Sequence, residues 1–171
     1  LDDETCADLF DLTRARTAAA GLPAYEISNH ARPGEESRHN LAYWRYQDYC
    51  GIGPGAHGRR GGVATVRHRK PENWLAAIDT QGDGIAEARP LGTREQAAEA
   101  MLMGLRLAEG VDLAERAARL HVSQAELYDA RKLAFYAEQG LAWHEGTRIG
   151  VTDAGMPSVS DPGFRLVAAC A

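Results

Sequence analysis

The chain has 171 residues, enough for one ordinary domain or two small ones, and its formal net charge is −5. A composition of 44% hydrophobic and 25% charged residues is typical of a globular protein and excludes a disordered chain. No apolar run approaches the roughly 18 residues that a membrane-spanning helix needs. The first residues are acidic and lack Met, so we expect a segment of a longer protein without a signal peptide.

Cysteine use and charge distribution narrow the function classes. Cys6, Cys50 and Cys170 are far apart, which excludes a disulfide framework and indicates a reducing cytoplasm. Residues 31–70 hold eight Arg or Lys against three acids, whereas the 30 residues before them hold six acids against two arginines. Such a basic segment in an acidic protein favours a carboxylate- or phosphate-bearing ligand. Pairing of these arginines with acids elsewhere in the fold explains the pattern equally well.

The first third of the chain predicts a helix, a strand and a loop. Apolar positions over 3–20 predict an amphipathic helix that ends at Gly21. Alternation over 22–28 predicts a strand. Residues 31–62 are rich in Gly, Pro, Asn and aromatics, and they predict a site-bearing loop with at most short strands at 49–52 and 63–68. This order is typical of an α/β protein.

The remaining elements are mostly helical. A short helix is expected over 73–80, ended by the Gly-Asp-Gly turn at 82–84, and a domain boundary near 89–92. Capping signals predict three further helices: one from a capping box at Thr93 up to Gly110, one from Asp112 to 120, and one from Ser123 to Gly140. A hairpin should follow, with strands at 141–145 and 147–152 around Gly146.

Two helices followed by a hairpin are the order of a winged helix. The charges nevertheless disfavour nucleic-acid binding, because residues 124–138 hold three acids against only Arg131 and Lys132. A recognition helix without positive excess draws little affinity from phosphates. A structural or docking role is favoured instead.

Two runs carry the most chemistry. The run HNLAYW at 39–44 places an imidazole, a carboxamide, a phenol and an indole within six residues. The run GIGPGAHG at 51–58 follows, and its glycines let the backbone come close to a ligand. A tight structural turn explains the glycines almost as well.

Together with YEISN at 25–29, these runs resemble the HemW-type haem chaperones of the radical S-adenosylmethionine superfamily, which are similar to oxygen-independent coproporphyrinogen III oxidases. The resemblance covers roughly residues 1–155. It implies an α/β fold in which residues 1–90 form the last strands and helices of an incomplete (β/α) barrel. A small helical, winged-helix-like C-terminal domain should occupy 91–155, and an irregular tail 156–171.

The resemblance also implies cofactors. Members of that family carry a four-iron–four-sulfur cluster on a Cys-x-x-x-Cys-x-x-Cys loop and bind S-adenosylmethionine. Thiolate ligation needs such clustered cysteines, and the three cysteines of this sequence do not provide them. We therefore expect a chain that lacks the cluster and is not a competent radical enzyme alone.

By the resemblance, the run at 39–44 is associated with haem. His39 is then the candidate axial ligand of the haem iron, since a neutral imidazole is a usual iron ligand. Aromatic rings could pack on the porphyrin and guanidinium groups could pair with the propionates, which gives the candidate set Arg38, His39, Tyr43, Trp44 and Arg45. The alternative is that His39 and Asn40 cap a loop while Trp44 fills the core.

The second run resembles the segment that lines the S-adenosylmethionine pocket in the oxidases. Its candidate cofactor-wall residues are Gly51, Gly53, Gly55, Ala56 and His57.

The end of the chain resembles another family. Residues 151–169 are similar to a motif of the ribosomal RNA small-subunit ribose methyltransferases of the tetrapyrrole-methylase type, where it helps form the adenosylmethionine site. We interpret it as a junction of two families at the DAGMP stretch. Pro157 and Pro162 forbid a continuous helix, so we expect an irregular segment and a final helical turn or two over 163–170.

Three functional hypotheses follow. The first is a HemW-like portion involved in haem binding, delivery to a haem-accepting protein, or porphyrin metabolism. The second is a protein-docking or scaffold module without catalysis, and the third, resting on the tail alone, is methyltransferase activity. Because part of a barrel exposes unpaired strand edges, we also expect dimers or aggregates.

Overall fold

The computed structural model describes residues 2–160, which form six α-helices and two three-stranded sheets. Within this range no helix has both the length and the apolar character required to cross a membrane. The main core lies in the second half of the chain, where the helices after residue 90 pack on the second sheet.

Helix α1 (Asp3–Ala19) confirms the first predicted element. Asp2 caps it by accepting a hydrogen bond from the Thr5 amide at 2.8 Å, and the chain turns at Gly21, whose φ is 77°. The helix buries no residue completely. Its partly buried side chains include Phe10, Arg14 and Thr17, which lie about one turn apart on one face of the helix.

The strand predicted at 22–28 is wrong, because a buried carboxylate folds this segment into turns. Glu26 is fully buried. Its Oε1 accepts hydrogen bonds from the Ser28 amide (2.8 Å), the Ser28 hydroxyl (3.1 Å) and the Asn29 amide group (2.5 Å). Such local side-chain bonds compete with a sheet ladder. Only isolated bridges remain, one of them between Ala24 and His30.

Helix α2 (Arg38–Trp44) lies where the sequence predicts a loop. The hydroxyl of Ser37 caps it by accepting from the Asn40 amide at 3.4 Å. At seven residues the helix is too short to show a helical periodicity, and it depends on tertiary contacts. The prediction of a site-bearing loop with at most short strands at 31–62 is therefore wrong for this segment.

The first sheet is an antiparallel meander. Strand β1 (His57–Arg60) pairs with β2 (Val63–Arg67), and β2 pairs with β3 (Ile85–Pro90). Strand β2 confirms the prediction at 63–68, whereas 49–52 contributes only the bridge of Tyr49 to Arg59. Helix α3 (Pro71–Gln81) confirms the helix predicted at 73–80 and ends at the left-handed Gly82.

Both sheets are antiparallel throughout the range that the structure describes. The barrel strands implied by the resemblance are therefore not confirmed. Strand β3 forms an edge of its sheet, and its exposed residues include Glu87, Arg89 and Pro90. Charges and proline on an edge strand oppose strand addition, so the expected dimer or aggregate stays a prediction.

Helix α4 (Thr93–Gly104) begins and ends differently from the prediction. The predicted capping box at Thr93 is wrong, since Gly92 holds the cap position. Glu95 instead pairs with Arg89 at 2.7 Å, and the Gln96 side chain donates to the Leu91 carbonyl at 3.0 Å. The helix ends at Gly104 rather than Gly110, and turns lead to the short strand β4 (Val111–Asp112).

Helix α5 (Leu113–Leu120) confirms its predicted cap, because Asp112 accepts from the Ala114 and Glu115 amides at 2.9 and 3.0 Å. The helix predicted from Ser123 is split. Glu126 does reach back to the Ser123 amide at 2.8 Å, but this box caps a 3-10 turn. Helix α6 (Ala130–Glu138) then starts from its own cap, Asp129.

Strands β5 (Ala142–Glu145) and β6 (Arg148–Val151) confirm the hairpin around Gly146. Strand β4 pairs with β6, which gives a sheet in the order β4-β6-β5. The core between this sheet and the helices is apolar, and its fully buried members include Met101, Val111, Leu113, Leu127 and Ile149. After β6 the chain forms a 3-10 helix (Met156–Ser160); the final turn expected at 163–170 lies outside the described residues.

Replacing Glu26 with Gln should remove an acid-dependent part of the stability. Burial raises the pKa of the Glu26 carboxyl, but the hydrogen bonds from Ser28 and Asn29 and the charge of Arg106 outweigh it and hold the pKa below its ordinary value. A lowered folded-state pKa stabilises the fold above the unfolded pKa, and this contribution is lost as the pH falls.

The measurement is urea denaturation between pH 6 and pH 3, with Glu87→Gln as the control at an exposed glutamate of strand β3. Wild type should lose more free energy of unfolding across this range than Glu26→Gln. Parallel curves for these two proteins would contradict the role of the buried carboxylate.

Candidate functional site

Helix α2 presents His39 and Tyr43 on one face, because residues four apart are neighbours on a helix. Their ring centroids are 6.0 Å apart with an interplanar angle of 51°. The His39 side chain is exposed and makes no hydrogen bond or ion pair within residues 2–160. An exposed imidazole of this kind can accept a proton or ligate a metal ion.

Tyr43 is fixed in place by a second tyrosine. Its hydroxyl lies 2.8 Å from that of Tyr49, and the ring centroids are 4.5 Å apart. Burial and this hydrogen bond raise the pKa of the Tyr49 phenol, so this phenol stays neutral at physiological pH. This pair is also where the run at 39–44 meets the segment that leads into the glycine run.

Trp44 lies on a different side of α2, and one of its faces is occupied. The Arg106 guanidinium lies over the indole at 4.4 Å from the ring centroid. The indole nitrogen is buried without a hydrogen-bond partner in the described range. Trp44 therefore packs α2 onto the turn after α4, and it does not share the face of His39.

The two candidate arginines differ in their availability. Arg45 forms a two-pronged ion pair with Glu109, with distances of 2.8 and 2.9 Å, and these hydrogen bonds raise the pKa of its guanidinium. Arg38, the first residue of α2, is exposed and has no ion pair within the described residues. Of the two, only Arg38 is placed to meet an outside anion next to His39.

The turn at 25–29 supports the N-terminal part of α2. Asn40 donates from its side chain to the Tyr25 hydroxyl at 3.1 Å. Glu26 lies 3.5 Å from Arg106, the residue that stacks on Trp44. Two of the runs singled out in the sequence, 25–29 and 39–44, thus touch each other directly and through Arg106.

The C-terminal end of α2 is held by two arginines of α5. Arg116 donates to the Arg45 carbonyl at 2.8 Å, and Arg119 donates to the carbonyls of Arg45 (3.1 Å) and Tyr46 (2.6 Å). Cations at a helix C-terminus satisfy its last carbonyls and oppose its negative dipole end. The bonds also hold Tyr46 in a left-handed conformation, with φ of 57°.

The backbone around the glycine run is packed so closely that two of its glycines leave no room for a side chain. A Cβ on Gly51 would collide with the His57 carbonyl, and one on Gly58 would lie 2.7 Å from the Thr65 hydroxyl. Arg67 ties the run to β2 by donating from its side chain to the Gly51 carbonyl at 2.5 Å. Close packing within the run at Gly51, and against β2 at Gly58, accounts for these two glycines.

The other members of the predicted cofactor wall form a turn. Gly53 and Gly55 have φ of 92° and 73°, the Ala56 amide donates to the Gly53 carbonyl at 3.3 Å, and His57 is exposed at the start of β1. The role of these residues as a wall of an S-adenosylmethionine pocket stays a prediction. The described range also contains no group of three metal-ligating side chains.

Sequence reasoning missed Arg106, Arg116 and Arg119. The sequence does hold a signal for Arg116, because this residue lies in the buried stripe of α5 with Leu113 and Ala117, where an apolar residue is the norm. A charge in that stripe indicates a specific acceptor. Arg106 carries no such signal, since it lies in turns beyond the observed end of α4.

Comparison with known proteins agrees with the resemblance. The HemN C-terminal domain model matches residues 91–157. The haem chaperone HemW of Bacillus subtilis (strain 168) is 34% identical over 149 residues, covering 87% of this chain and 39% of that protein. HemW of Mycobacterium tuberculosis (strain H37Rv) is 34% identical over 154 residues, covering 90% of this chain and 37% of that protein.

Among solved structures, the coproporphyrinogen III oxidase HemN from Escherichia coli, a radical SAM enzyme, superposes with a TM-score of 0.70. The superposition covers 93% of this chain and 40% of that chain at 18% identity, which supports the fold alone. The chain thus spans well under half the length of the curated relatives it matches. Taken with the matches to HemW, these similarities show that the chain belongs to the HemW- and HemN-like radical S-adenosylmethionine family and corresponds to the C-terminal portion of its members.

Proposed function

We propose that this chain is the portion of a HemW-like protein that binds haem for delivery or for porphyrin metabolism. The observation that carries the proposal is the His39 imidazole, which is exposed and makes no hydrogen bond within the described residues. It stands on a helix that is held at its C-terminal end by Arg116 and Arg119. Fixing the helix restricts the imidazole before binding and so reduces the ordering cost.

In this proposal haem is cargo, and each candidate residue has a separate task. His39 offers a ring nitrogen to the iron, and Tyr43 presents an aromatic edge one turn away. Arg38 pairs with a propionate. Trp44 and Arg45 act indirectly, since their contacts with Arg106 and Glu109 fix the orientation of α2.

Any radical chemistry would be carried out by the whole protein and not by this portion alone. A further relative is the mitochondrial radical S-adenosyl methionine domain-containing protein 1 of Bos taurus, which is 37% identical over 64% of this chain and 27% of that protein. In full-length members, the iron–sulfur cluster and S-adenosylmethionine would be held mainly by segments that this sequence does not contain.

A second candidate function is protein docking by residues 91–155. The order α4-β4-α5-α6-β5-β6 supports a winged-helix-like unit, and Phe135 on α6 is 57% exposed. An exposed aromatic side chain favours a protein partner, such as a haem-accepting protein, over nucleic acid. This role alone predicts no haem affinity.

Replacing His39 with Ala should abolish a haem-dependent spectral signal. Titration of the full chain with haemin should give a shifted Soret band with saturation, and His39→Ala should lose the shift or weaken binding at least tenfold, because the iron loses its axial nitrogen. The measurement is absorbance between 350 and 450 nm. His144→Ala, which removes an exposed histidine from β5, is the matched control and should bind as wild type does.

Identical titrations for wild type and His39→Ala would refute the ligand assignment. If no protein shifts the Soret band, the chain has no haem site and docking becomes the better account. Arg38→Gln should weaken binding modestly without changing the position of the band, since it touches the propionate and not the iron.

A further inference from the structure

A cavity of about 410 Å³ lies between the first sheet and helix α5, and His39 is not among the residues that line it. Four separate segments line it: the stretch after α2, β1 with its turn, α4 and α5. Side chains that reach it include Gln47, Asp48, Arg59, Gln96 and Arg119. Its volume is within the range of small-molecule sites.

Arg59 is the least expected residue of this cavity, because it is only 5% exposed. Its guanidinium stacks on the Tyr46 ring at 3.4 Å from the centroid and donates to the Gln47 carbonyl at 3.1 Å. Within residues 2–160 it forms no ion pair. The neighbouring Glu99 is taken by the Tyr46 hydroxyl, at 2.7 Å. Burying a cation without a carboxylate partner is costly, and an anion bound beside the Arg59 guanidinium would offset that cost.

Two more guanidiniums stand beside Arg59. Arg116 is 7% exposed, and the acceptor of its hydrogen bond is the Arg45 carbonyl. Burial and the charge of Arg119 lower the pKa of Arg116 to about 10, and Arg59 adds to this repulsion. Arg59 and Arg119 thus both place a like charge near Arg116, which Glu115 opposes.

Asp48 is the one carboxylate among the described residues that line the cavity, and its Oδ2 accepts from the Gly61 amide at 3.0 Å. Two cations, Arg59 and Arg119, line the same cavity. Each guanidinium has N–H donors that are not used in the hydrogen bonds described above. The lining is thus net positive, with amide groups from Gln47 and Gln96 beside the charges.

We propose that this cavity binds a small organic anion that carries a phosphate or carboxylate group, gripped by Arg59 and Arg119. The planar fork of a guanidinium matches both groups. Nothing in this site depends on His39, so the site is separate from the proposed haem face.

Calorimetric titration of the full chain with pyrophosphate and, in a second arm, with citrate tests the proposal. Binding that weakens with added NaCl is expected for at least one of them, and the arm that binds identifies the phosphate or the carboxylate class. Arg119→Gln should weaken binding tenfold or more. Asp48→Asn keeps the acceptor for Gly61 but removes the repulsion, so it should tighten binding about threefold to tenfold.

Arg131→Gln removes the same charge from the exposed surface of α6 and serves as the control, with unchanged affinity. If Arg119→Gln unfolds, the affinity of Asp48→Asn tests the proposal instead, because Asn at this position still accepts the hydrogen bond from the Gly61 amide. Absence of heat in both arms, or affinity that is the same in wild type and Asp48→Asn, would overturn the proposal. The probes contain no porphyrin, so this failure would be distinct from failure of the haem proposal.

Discussion

The arrangement of the candidate site depends on how the last carbonyls of α2 are satisfied. A seven-residue helix cannot persist alone in water, and α2 ends in carbonyls that need donors. Arg116 and Arg119 supply them from α5. Because α5 is anchored in the main core through Leu113 and Ala117, the helix that carries His39 is fixed to the best-packed part of the molecule.

Helix α2 is also held by contacts with the turn at 25–29, which centre on a buried carboxylate. Glu26 organises the turn at 25–29, reaches Arg106, and through it supports Trp44. Hydrogen bonds to a buried carboxylate are strong only while all partners are present. The runs at 25–29 and 39–44 thus stabilise each other. Their side chains mostly hold α2 in place, while His39 and Arg38 remain available to a ligand.

Sequence patterns predicted the second half of the fold better than the first. Asp112 and Gly146 act locally, as a cap and a turn residue, so their roles can be read from neighbours in the sequence. The strand predicted at 22–28 failed because Glu26 folds its own backbone, which alternation of apolar residues does not reveal. Helix α2 was missed because its stability comes from α5, more than 70 residues later. For the candidate site, the sequence motif singled out His39 and Tyr43. That they share one face could be seen only once the segment was known to be a helix. The pairing of Arg45 with Glu109 could be seen only in the tertiary structure.

The central claim is that α5 clamps α2, and hydrogen–deuterium exchange of Arg116→Met tests it most directly. Methionine preserves the apolar stem but donates no hydrogen bond to the Arg45 carbonyl. The account predicts that amides of residues 41–47 exchange roughly tenfold faster or more than in wild type, while those of β5 and β6 keep their protection. Unchanged exchange at 41–47, or an equal loss of protection in β5 and β6, would contradict it.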